Sequence, residues 1–248
     1  MKIIQITDLH VASETEYTHG VNVRQNFLDI LKAAKSLEPD FLVLTGDLCY
    51  DIGEAPIYQW MKPHIDNIGI PYSVIGGNHD DSVLLANAFK VPHLLVGEEL
   101  FFKRLFGEYT ALFLETSKGF VSDAQLAWID HELSKTDENL VIFMHHPPAI
   151  SGVPHMDINY ALQNMDAVQQ VLSSYPRQVP IFCGHYHVEK TLCLRNLTIH
   201  ITPSTYFQMD WHEETFRVDH LRIALREINL RNDGVVESTV VYYDGNRS

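Results

Sequence analysis

The strongest constraint on this chain is a set of five polar clusters, each of which stands directly behind a short apolar run. The runs are rich in Ile, Val, Leu and Phe, which predicts buried strands over residues 2–7, 41–45, 71–75, 140–144 and 179–183. Open α/β sheets bind ligands beyond the carboxyl ends of their strands. We therefore expect the clusters to converge on one site: Asp8-Leu9-His10, Gly46-Asp47, Gly77-Asn78-His79-Asp80, His145-His146 and Gly184-His185-Tyr186-His187.

Amphipathic segments between these runs predict helices. Residues 21–37 carry an apolar stripe at helical spacing, and residues 55–68 carry a weaker one. Ser122 has capping-box spacing ahead of a third helix, and a further helix is predicted over residues 159–174. Strands and helices alternate in this way in βαβ units.

The chain after Lys190 is rich in β segments, at residues 191–194, 197–201, 221–230 and 235–243. Asn232-Asp233-Gly234 lies between the last two, which predicts an antiparallel hairpin. Two stacked sheets with helices outside would bury the early and the late strands alike. The predicted fold class is α/β, a four-layer α/β/β/α sandwich of two mixed β-sheets flanked by helices. Because the candidate residues span most of the sequence, we expect residues 1–248 to form a single domain.

The residue types in the clusters are those of a metal site. Asp8 and His10 are two residues apart, so they point the same way if the strand geometry continues through them. Further candidate ligands are Asp47, which could bridge two metals through its two oxygens, Asn78, His185, His187 and at least one of His145 and His146. This donor set suits Mn, Fe or Zn better than Ca. Two adjacent metals are a known arrangement for cleaving phosphate esters, and His79 would be free to act on the substrate.

Charge and length restrict the partners. The formal net charge of −14 and the lack of a basic run argue against a general nucleic-acid binder. No apolar run approaches membrane-spanning length, and the first predicted strand leaves no room for a cleavable signal peptide. We therefore expect a cytoplasmic protein without a membrane partner.

The ordered set DxH, GD, GNHD, H and GHxH resembles the calcineurin-like metallophosphoesterase superfamily, over residues 2–205. His145-His146-Pro147-Pro148 and Thr202-Pro203-Ser204-Thr205 resemble the bacterial class III cyclic nucleotide phosphodiesterases and their glycerophosphodiesterase relatives. The resemblance implies two divalent or mixed-valence metal ions, Mn, Fe or Zn. The ligands that it implies are Asp8, His10, Asp47 and His187 for the first metal and Asp47, Asn78, His145 and His185 for the second.

The resemblance also implies how the reaction proceeds. A metal-bridging hydroxide would attack phosphorus, while His79, paired with Asp80, would protonate or hydrogen-bond the leaving oxygen. His145 rather than His146 matches the position of the family ligand. The resemblance leaves a homodimer open, since related enzymes often dimerise.

The substrate class follows from charge. No arginine lies within a few residues of any motif, whereas arginines grip dianionic monoesters, so a small monoanionic phosphodiester is favoured. The resemblance favours 3′,5′-cyclic AMP or a related cyclic nucleotide. The alternatives are a glycerophosphodiesterase or a 2′,3′-cyclic nucleotide phosphodiesterase and, less favoured, a phosphomonoesterase or a catalytically inactive binding scaffold.

Four more polar residues are candidates for orienting the metal ligands or for contacting the substrate: His146, His155, Asp157 and Asn164. The loops expected to shape the cleft are residues 81–108, 116–120 and 150–159. Glu115 stands where the family usually has Asp, and we interpret it as supporting the ligands or as lying on the surface. Other histidines, His19 among them, are interpreted as surface or core residues.

Overall fold

The computed structural model describes residues 1–247, which form two large sheets with helices on their outer faces. The helices are α1 (Val23–Ser36), α2 (Ala55–Asp66), α3 (Ser82–Ala88), α4 (Asp123–Lys135), α5 (Pro154–Asn159) and α6 (Met165–Ser173). The strands are β1 (Lys2–Ile6), β2 (Phe41–Thr45), β3 (Tyr72–Ile75), β4 (Leu95–Val96), β5 (Glu99–Leu100), β6 (Phe102–Phe106), β7 (Tyr109–Phe113), β8 (Asn139–Phe143), β9 (Val179–Cys183), β10 (Lys190–Leu194), β11 (Leu197–Ile201), β12 (Gln208–Met209), β13 (Val218–His220), β14 (Ile223–Leu230) and β15 (Val236–Tyr243).

Each large sheet mixes parallel and antiparallel pairs. The first sheet has the order β15-β14-β1-β2-β3, in which β1, β2 and β3 are parallel and β14 runs antiparallel to β1. The second has the order β10-β11-β9-β8-β7-β6, with parallel central strands and antiparallel edges. Two small sheets, β12-β13 and β4-β5, lie beside them. The predicted pair of mixed sheets is confirmed.

The alternation of side chains along the second sheet separates the layers. Phe113 and Phe143 point into the core shared with the first sheet and its helices α1 and α2. Their neighbours Leu112 and Ile142 point to the opposite face, where they pack with residues of α4 and α6. Because strand side chains alternate between faces, each sheet packs against helices on one face and against the other sheet on the opposite face. The α/β/β/α sandwich is confirmed.

Most predicted elements are present. The five apolar runs form β1, β2, β3, β8 and β9, and β14 pairs antiparallel with β15. Ser122 caps α4 by accepting the N–H of Gln125 at 3.1 Å. Within residues 1–247, no helix is both long enough and apolar enough to cross a membrane.

The helix predicted over residues 159–174 is wrong in its extent. α5 ends at Asn159, and α6 begins only at Met165. The backbone between them is held by a different segment: the N–H of Gln163 donates to the carbonyl of Gly119 at 2.8 Å. The amide of Asn164 bonds both backbone groups of Val121, at 3.0 and 2.7 Å. These long-range bonds outweigh the local helical preference.

Candidate active site

Five candidate ligands have an unusual backbone conformation. Their φ angles lie between 43° and 69°: Asp8, His10, Asp47, His185 and His187. Residues other than glycine seldom adopt this region, and such residues are concentrated at functional sites. β1 ends at Ile6, so the expectation that strand geometry aligns Asp8 with His10 is wrong. Left-handed turns, not strand alternation, bring these side chains together.

The segments that follow the parallel strands are hydrogen-bonded to one another. Within the first sheet, the N–H of Asp8 donates to the carbonyl of Gly46 at 3.0 Å. Within the second sheet, the N–H of Gly184 donates to the carbonyl of His145 at 3.0 Å. The sheets meet where the Asp8 carboxylate accepts the N–H of His185, at 3.0 and 3.1 Å from its two oxygens. Strand ends of both sheets thus form one site.

One group of donors consists of Asp8, His10 and His187, whose ligand atoms lie within 4.8 Å of one another. The Nδ1 of His10 is 3.3 Å from the carbonyl oxygen of Tyr50, and that of His187 is 3.1 Å from the carbonyl oxygen of Phe207. Because a carbonyl only accepts, each Nδ1 carries the hydrogen and each Nε2 keeps a lone pair. The two Nε2 atoms lie 3.1 Å apart. Facing lone pairs repel each other, and a shared metal cation would remove that repulsion.

A second group consists of Asp47, His145 and His185. The Nδ1–H of His145 donates to the carbonyl of Thr45 at 2.8 Å, while its buried Nε2 has no hydrogen-bond partner among the described residues. The Nε2 of His185 donates to the carbonyl of Tyr160 at 3.0 Å, which leaves Nδ1 with the lone pair. An unpartnered buried nitrogen is costly. These residues therefore also fit a metal ion.

Asp47 belongs to the second group and also approaches the first. Its Oδ2 is 3.2 Å from the Nε2 of His145 and 3.7 Å from the Nε2 of His10. Its Oδ1 accepts the backbone N–H of His79 at 3.0 Å. A single carboxylate thus approaches one imidazole of each group.

The carboxylates give the cluster a negative field. Burial alone would raise the pKa values of Asp8 and Asp47, but the adjacent imidazoles of His187 and His145 hold them below their usual range. Burial would lower the pKa of His145, yet Asp47 and Asp8 raise it to about 9, so in this structure Nε2 attracts a proton at the place that a metal cation would take. Burial lowers the pKa of His10 to about 3, so this imidazole is neutral, the form that binds metals. The cluster attracts positive charge.

Two motif glycines allow the ligands to approach the backbone closely. A Cβ at Gly77 would lie 2.3 Å from Oδ1 of Asp47. A Cβ at Gly184 would lie 2.1 Å from Oγ1 of Thr7 and 2.5 Å from Oδ2 of Asp8. No other residue fits at these positions without moving the carboxylates.

The predicted pairing of His79 with Asp80 is wrong. The Nδ1 of His79 lies 2.8 Å from the carbonyl oxygen of Asp51 instead. The Asp80 carboxylate is used to hold the loop: it accepts the N–H groups of Leu48, Cys49 and Gly77 and the hydroxyl of Tyr58, at 2.8 to 3.2 Å. Four donors leave this carboxylate no role at the His79 ring. Asp80 therefore positions the loop that carries Asn78 and His79.

His146 and Glu115 lie beside the cluster. The Nδ1 of His146 is 2.9 Å from Oγ1 of Thr116, and its ring packs against that of His185 at an angle of 42°, with centroids 4.1 Å apart. Its position is thus against a candidate ligand and outside both donor groups. Glu115 is buried, and its carboxylate accepts the N–H groups of Leu100 and Ser117 at 3.0 and 2.9 Å. It is not a surface residue.

Asp157 and Asn164 are engaged in holding loops. The Asp157 carboxylate accepts the N–H groups of Ser151 and Val153 and the hydroxyl of Tyr186, at 2.8 to 3.0 Å. Asn164, bonded to Val121, lies in the segment between α5 and α6. Neither lines the cleft above the cluster, so their expected proximity to the substrate is not observed.

This cleft has a volume of about 360 Å³, within the size range of small-molecule sites. Seven of the predicted site residues line it: His10, Asp47, Asn78, His79, His155, His185 and His187. Asp8 and His145 are fully buried below it. Of the described residues that line the cleft, none is lysine or arginine.

The sequence interpretation missed much of the cleft wall. The additional lining residues are His19, Tyr50, Asp51, Met156, Tyr160, Tyr206, Phe207, Met209 and Phe216. Of the loops expected to shape the cleft, residues 150–159 contribute, whereas in the described structure 81–108 and 116–120 do not. Two local signals were available. Tyr50 and Asp51 closely follow the Gly46-Asp47 cluster, and Tyr206-Phe207 directly follows Thr202-Pro203-Ser204-Thr205.

Comparisons with known proteins identify relatives of this chain. A protein of Fibrobacter succinogenes, named a probable cyclic nucleotide phosphodiesterase, is 33% identical over 85% of this chain and 82% of its own length. The Escherichia coli K12 3′,5′-cyclic adenosine monophosphate phosphodiesterase CpdA is 28% identical over 97% and 89%. The glycerophosphodiester phosphodiesterase GpdQ of Enterobacter lignolyticus is 29% identical over 87% and 81%. The profile of the calcineurin-like phosphoesterases matches residues 1–189, from β1 to just beyond the last histidine of the cluster, and the chain belongs to that family.

Proposed function

We propose that this protein is a metal-dependent phosphodiesterase that binds two metal ions below the cleft. The observation that carries the proposal is the pair of donor groups connected by Asp47, which belongs to one group and approaches His10 of the other at 3.7 Å. The facing Nε2 atoms of His10 and His187 and the buried Nε2 of His145 each offer a place for a cation. The proposed ligands are Asp8, His10, Asp47 and His187 for one ion and Asp47, Asn78, His145 and His185 for the other. Mixed oxygen and nitrogen donors favour Mn, Fe or Zn.

The residues around the ions would act on the phosphodiester. When bound, two such cations activate water and neutralise charge on the phosphate. The Nδ1–H of His79 is directed to the carbonyl of Asp51, so Nε2 is the atom that can hold a proton for the leaving oxygen. The Asp51 carbonyl would keep the ring in place when His79 is protonated, and Asp80 would hold its loop.

A small monoanionic diester is the proposed substrate class. Among the described residues, none that lines the cleft is a lysine or arginine that could bind the second negative charge of a phosphomonoester. Identity does not choose between a cyclic nucleotide and a glycerophosphodiester, because CpdA and GpdQ relatives are 28% and 29% identical to the chain. We propose 3′,5′-cyclic AMP or a related cyclic nucleotide as the substrate. We further propose that residues 1–248 act as one domain, which the pairing of late strand β14 with β1 supports.

The test is a substrate panel assayed after manganese loading. It contains 3′,5′-cyclic AMP, 2′,3′-cyclic AMP, glycerophosphoethanolamine and p-nitrophenyl phosphate. We expect two metal ions per chain and faster turnover of diesters than of the monoester. His79→Ala should keep both ions and lose about 10²–10⁴-fold in kcat, because only proton transfer is removed. Asp47→Ala should lose the paired ions and the activity.

Three results would contradict the proposal. Full activity of Asp47→Ala would refute the shared-ligand site. A wild-type protein that binds two ions and turns over no diester would point to a binding scaffold, and faster turnover of p-nitrophenyl phosphate would point to a phosphomonoesterase.

A further inference from the structure

We propose that four ring-bearing residues in the cleft, Phe207, Phe216, His155 and Tyr160, bind the base of a cyclic nucleotide by stacking. This set is called the aromatic arc. The inference rests on the proposed phosphodiesterase function and names residues that determine which diester is used. Phe207 directly precedes β12, Phe216 lies in the loop between β12 and β13, His155 lies in the first turn of α5, and Tyr160 directly follows α5.

The aromatic arc runs from one candidate metal ligand to another. Its ring centroids are separated by 5.6 Å between Phe207 and Phe216, 6.1 Å between Phe216 and His155, and 5.6 Å between His155 and Tyr160. At one end, Phe207 lies 4.8 Å from the ring of His187. At the other end, the carbonyl of Tyr160 accepts the Nε2–H of His185. A diester with its phosphate at the cluster would thus place one substituent against the arc.

The arc presents aromatic surface that the protein itself leaves uncovered. Tyr160 and Phe216 are each 52% exposed, although both are large and line the same cleft. A single exposed aromatic residue is ordinary, but two at the mouth of one cleft provide apolar area for a ligand. Phe207 is almost fully buried, so it fixes the inner end of the wall.

The chemistry of the wall favours a nucleobase over a glycerol group. Glycerol hydroxyls need hydrogen-bond partners, which ring faces do not supply, whereas a base stacks on an aromatic face with a gain of about 1–3 kcal/mol. Consecutive rings of the arc are inclined to one another by 60° to 75°, so a flat base would stack on the face of one ring and meet the edges of its neighbours.

The structure permits a clean test, because the arc holds the metal ligands through its backbone and not through its side chains. His185 and His187 donate to the carbonyls of Tyr160 and Phe207. Removing the Tyr160 or Phe216 side chain therefore leaves these hydrogen bonds in place. Phe120, which is 38% exposed and lies outside the cleft, provides a matched control.

The experiment compares kcat/KM for 3′,5′-cyclic AMP, glycerophosphoethanolamine and glycerophosphocholine in metal-loaded variants. We expect Phe216→Ala and Tyr160→Ala to lower kcat/KM for cyclic AMP about 5- to 100-fold more than for glycerophosphoethanolamine, mainly through KM. Phe216→Trp should restore most of the loss, and Phe120→Ala should leave the ratio unchanged. Saturation-transfer NMR with adenosine, which has no phosphate, should detect binding to the wild type and no binding to Phe216→Ala.

Each contrary result has a distinct meaning. Equal decreases for cyclic AMP and glycerophosphoethanolamine would overturn the stacking role, and a selective decrease for glycerophosphocholine would assign the arc to an ammonium group instead. If the wild type hydrolyses no diester, the proposed function fails, and adenosine binding that Phe216→Ala abolishes would still support a base site. If the wild type does not bind adenosine, the inference fails whatever the activity.

Discussion

At the scale of single residues, main-chain carbonyls decide which nitrogen of each histidine is free. Each imidazole of the site lies 2.8 to 3.3 Å from one carbonyl oxygen, which pairs His10 with Tyr50, His79 with Asp51, His145 with Thr45, His185 with Tyr160 and His187 with Phe207. Such a bond fixes the tautomer and the ring orientation of a metal ligand. A substitution at one of the residues that provide these carbonyls changes the side chain and keeps the main-chain carbonyl. Such a substitution can therefore alter the cleft and leave the ligand geometry in place.

The adjacent histidines His145 and His146 should differ in their effect on metal binding. We expect His145→Ala to reduce the bound metal from two ions to one, because the unpartnered Nε2 of His145 faces Asp47. His146→Ala should keep both ions, because Nδ1 of His146 lies beside Oγ1 of Thr116. Metal content by mass spectrometry after manganese loading and desalting checks the result. A loss of one ion in His146→Ala with two retained in His145→Ala would reverse the assignment.

At the scale of elements, the sequence was informative wherever a pattern is local. Short apolar runs predict the strands that precede the site, and Asn232-Asp233-Gly234 predicts the hairpin of β14 and β15. The aromatic arc was not predictable in this way. Its loop is positioned by long-range backbone bonds, such as that from the N–H of Met209 to the carbonyl of His187 at 3.0 Å. Likewise, the turns at Asp8 and His10 depend on pairing with the segment after β2.

A row of stacked rings across the second sheet includes a histidine, which predicts that the stability of the fold depends on pH. The ring of His200 on β11 stacks on that of Phe182, with centroids 4.9 Å apart and an interplanar angle of 12°. Phe182 in turn stacks on Phe143, and Phe143 stacks on Phe113. Burial, assisted by Arg226, lowers the pKa of His200 from 6.5 to about 4. Between about pH 4 and about pH 6.5, His200 is therefore protonated in the unfolded chain and neutral in the folded chain. The contribution of His200 to the free energy of unfolding is constant above about pH 6.5 and decreases as the pH falls from about 6.5 to about 4.

The measurement is urea unfolding of the metal-free wild type and of His200→Phe at about pH 7.5 and about pH 5. Phenylalanine keeps the stacked ring and cannot titrate. We expect the wild type to lose about 1–2 kcal/mol more than the variant on acidification, a value reduced because part of the ring faces solvent. The metal ligands titrate in both proteins, so their effect cancels in the difference. An identical loss in both would show that His200 does not carry this sensitivity.

At the scale of the whole molecule, the candidate ligands come from both sheets. Asp8, His10 and Asp47 follow β1 and β2 of the first sheet, whereas His145, His185 and His187 follow β8 and β9 of the second. Metal ions held by these residues would connect the two sheets at one edge. The opposing sheet faces are already joined by buried polar groups, such as the bond from Nε2 of Gln5 to the carbonyl of Cys183 at 3.3 Å. We therefore expect metal binding and global stability to be coupled.

The coupling can be measured as a shift in Tm. A ligand that binds only the folded state stabilises it by about 2.7 kcal/mol at a concentration 100 times its Kd. For a chain of this size, this corresponds to an increase of about 5–10 °C when manganese is added to the EDTA-treated protein. Calcium, which prefers oxygen cages, should give a smaller shift because imidazoles supply much of the donor set. In Asp47→Ala most of the manganese effect should disappear. If Asp47→Ala gained as much Tm as the wild type, manganese would be acting elsewhere on the surface, and the ions would not join the sheets through Asp47.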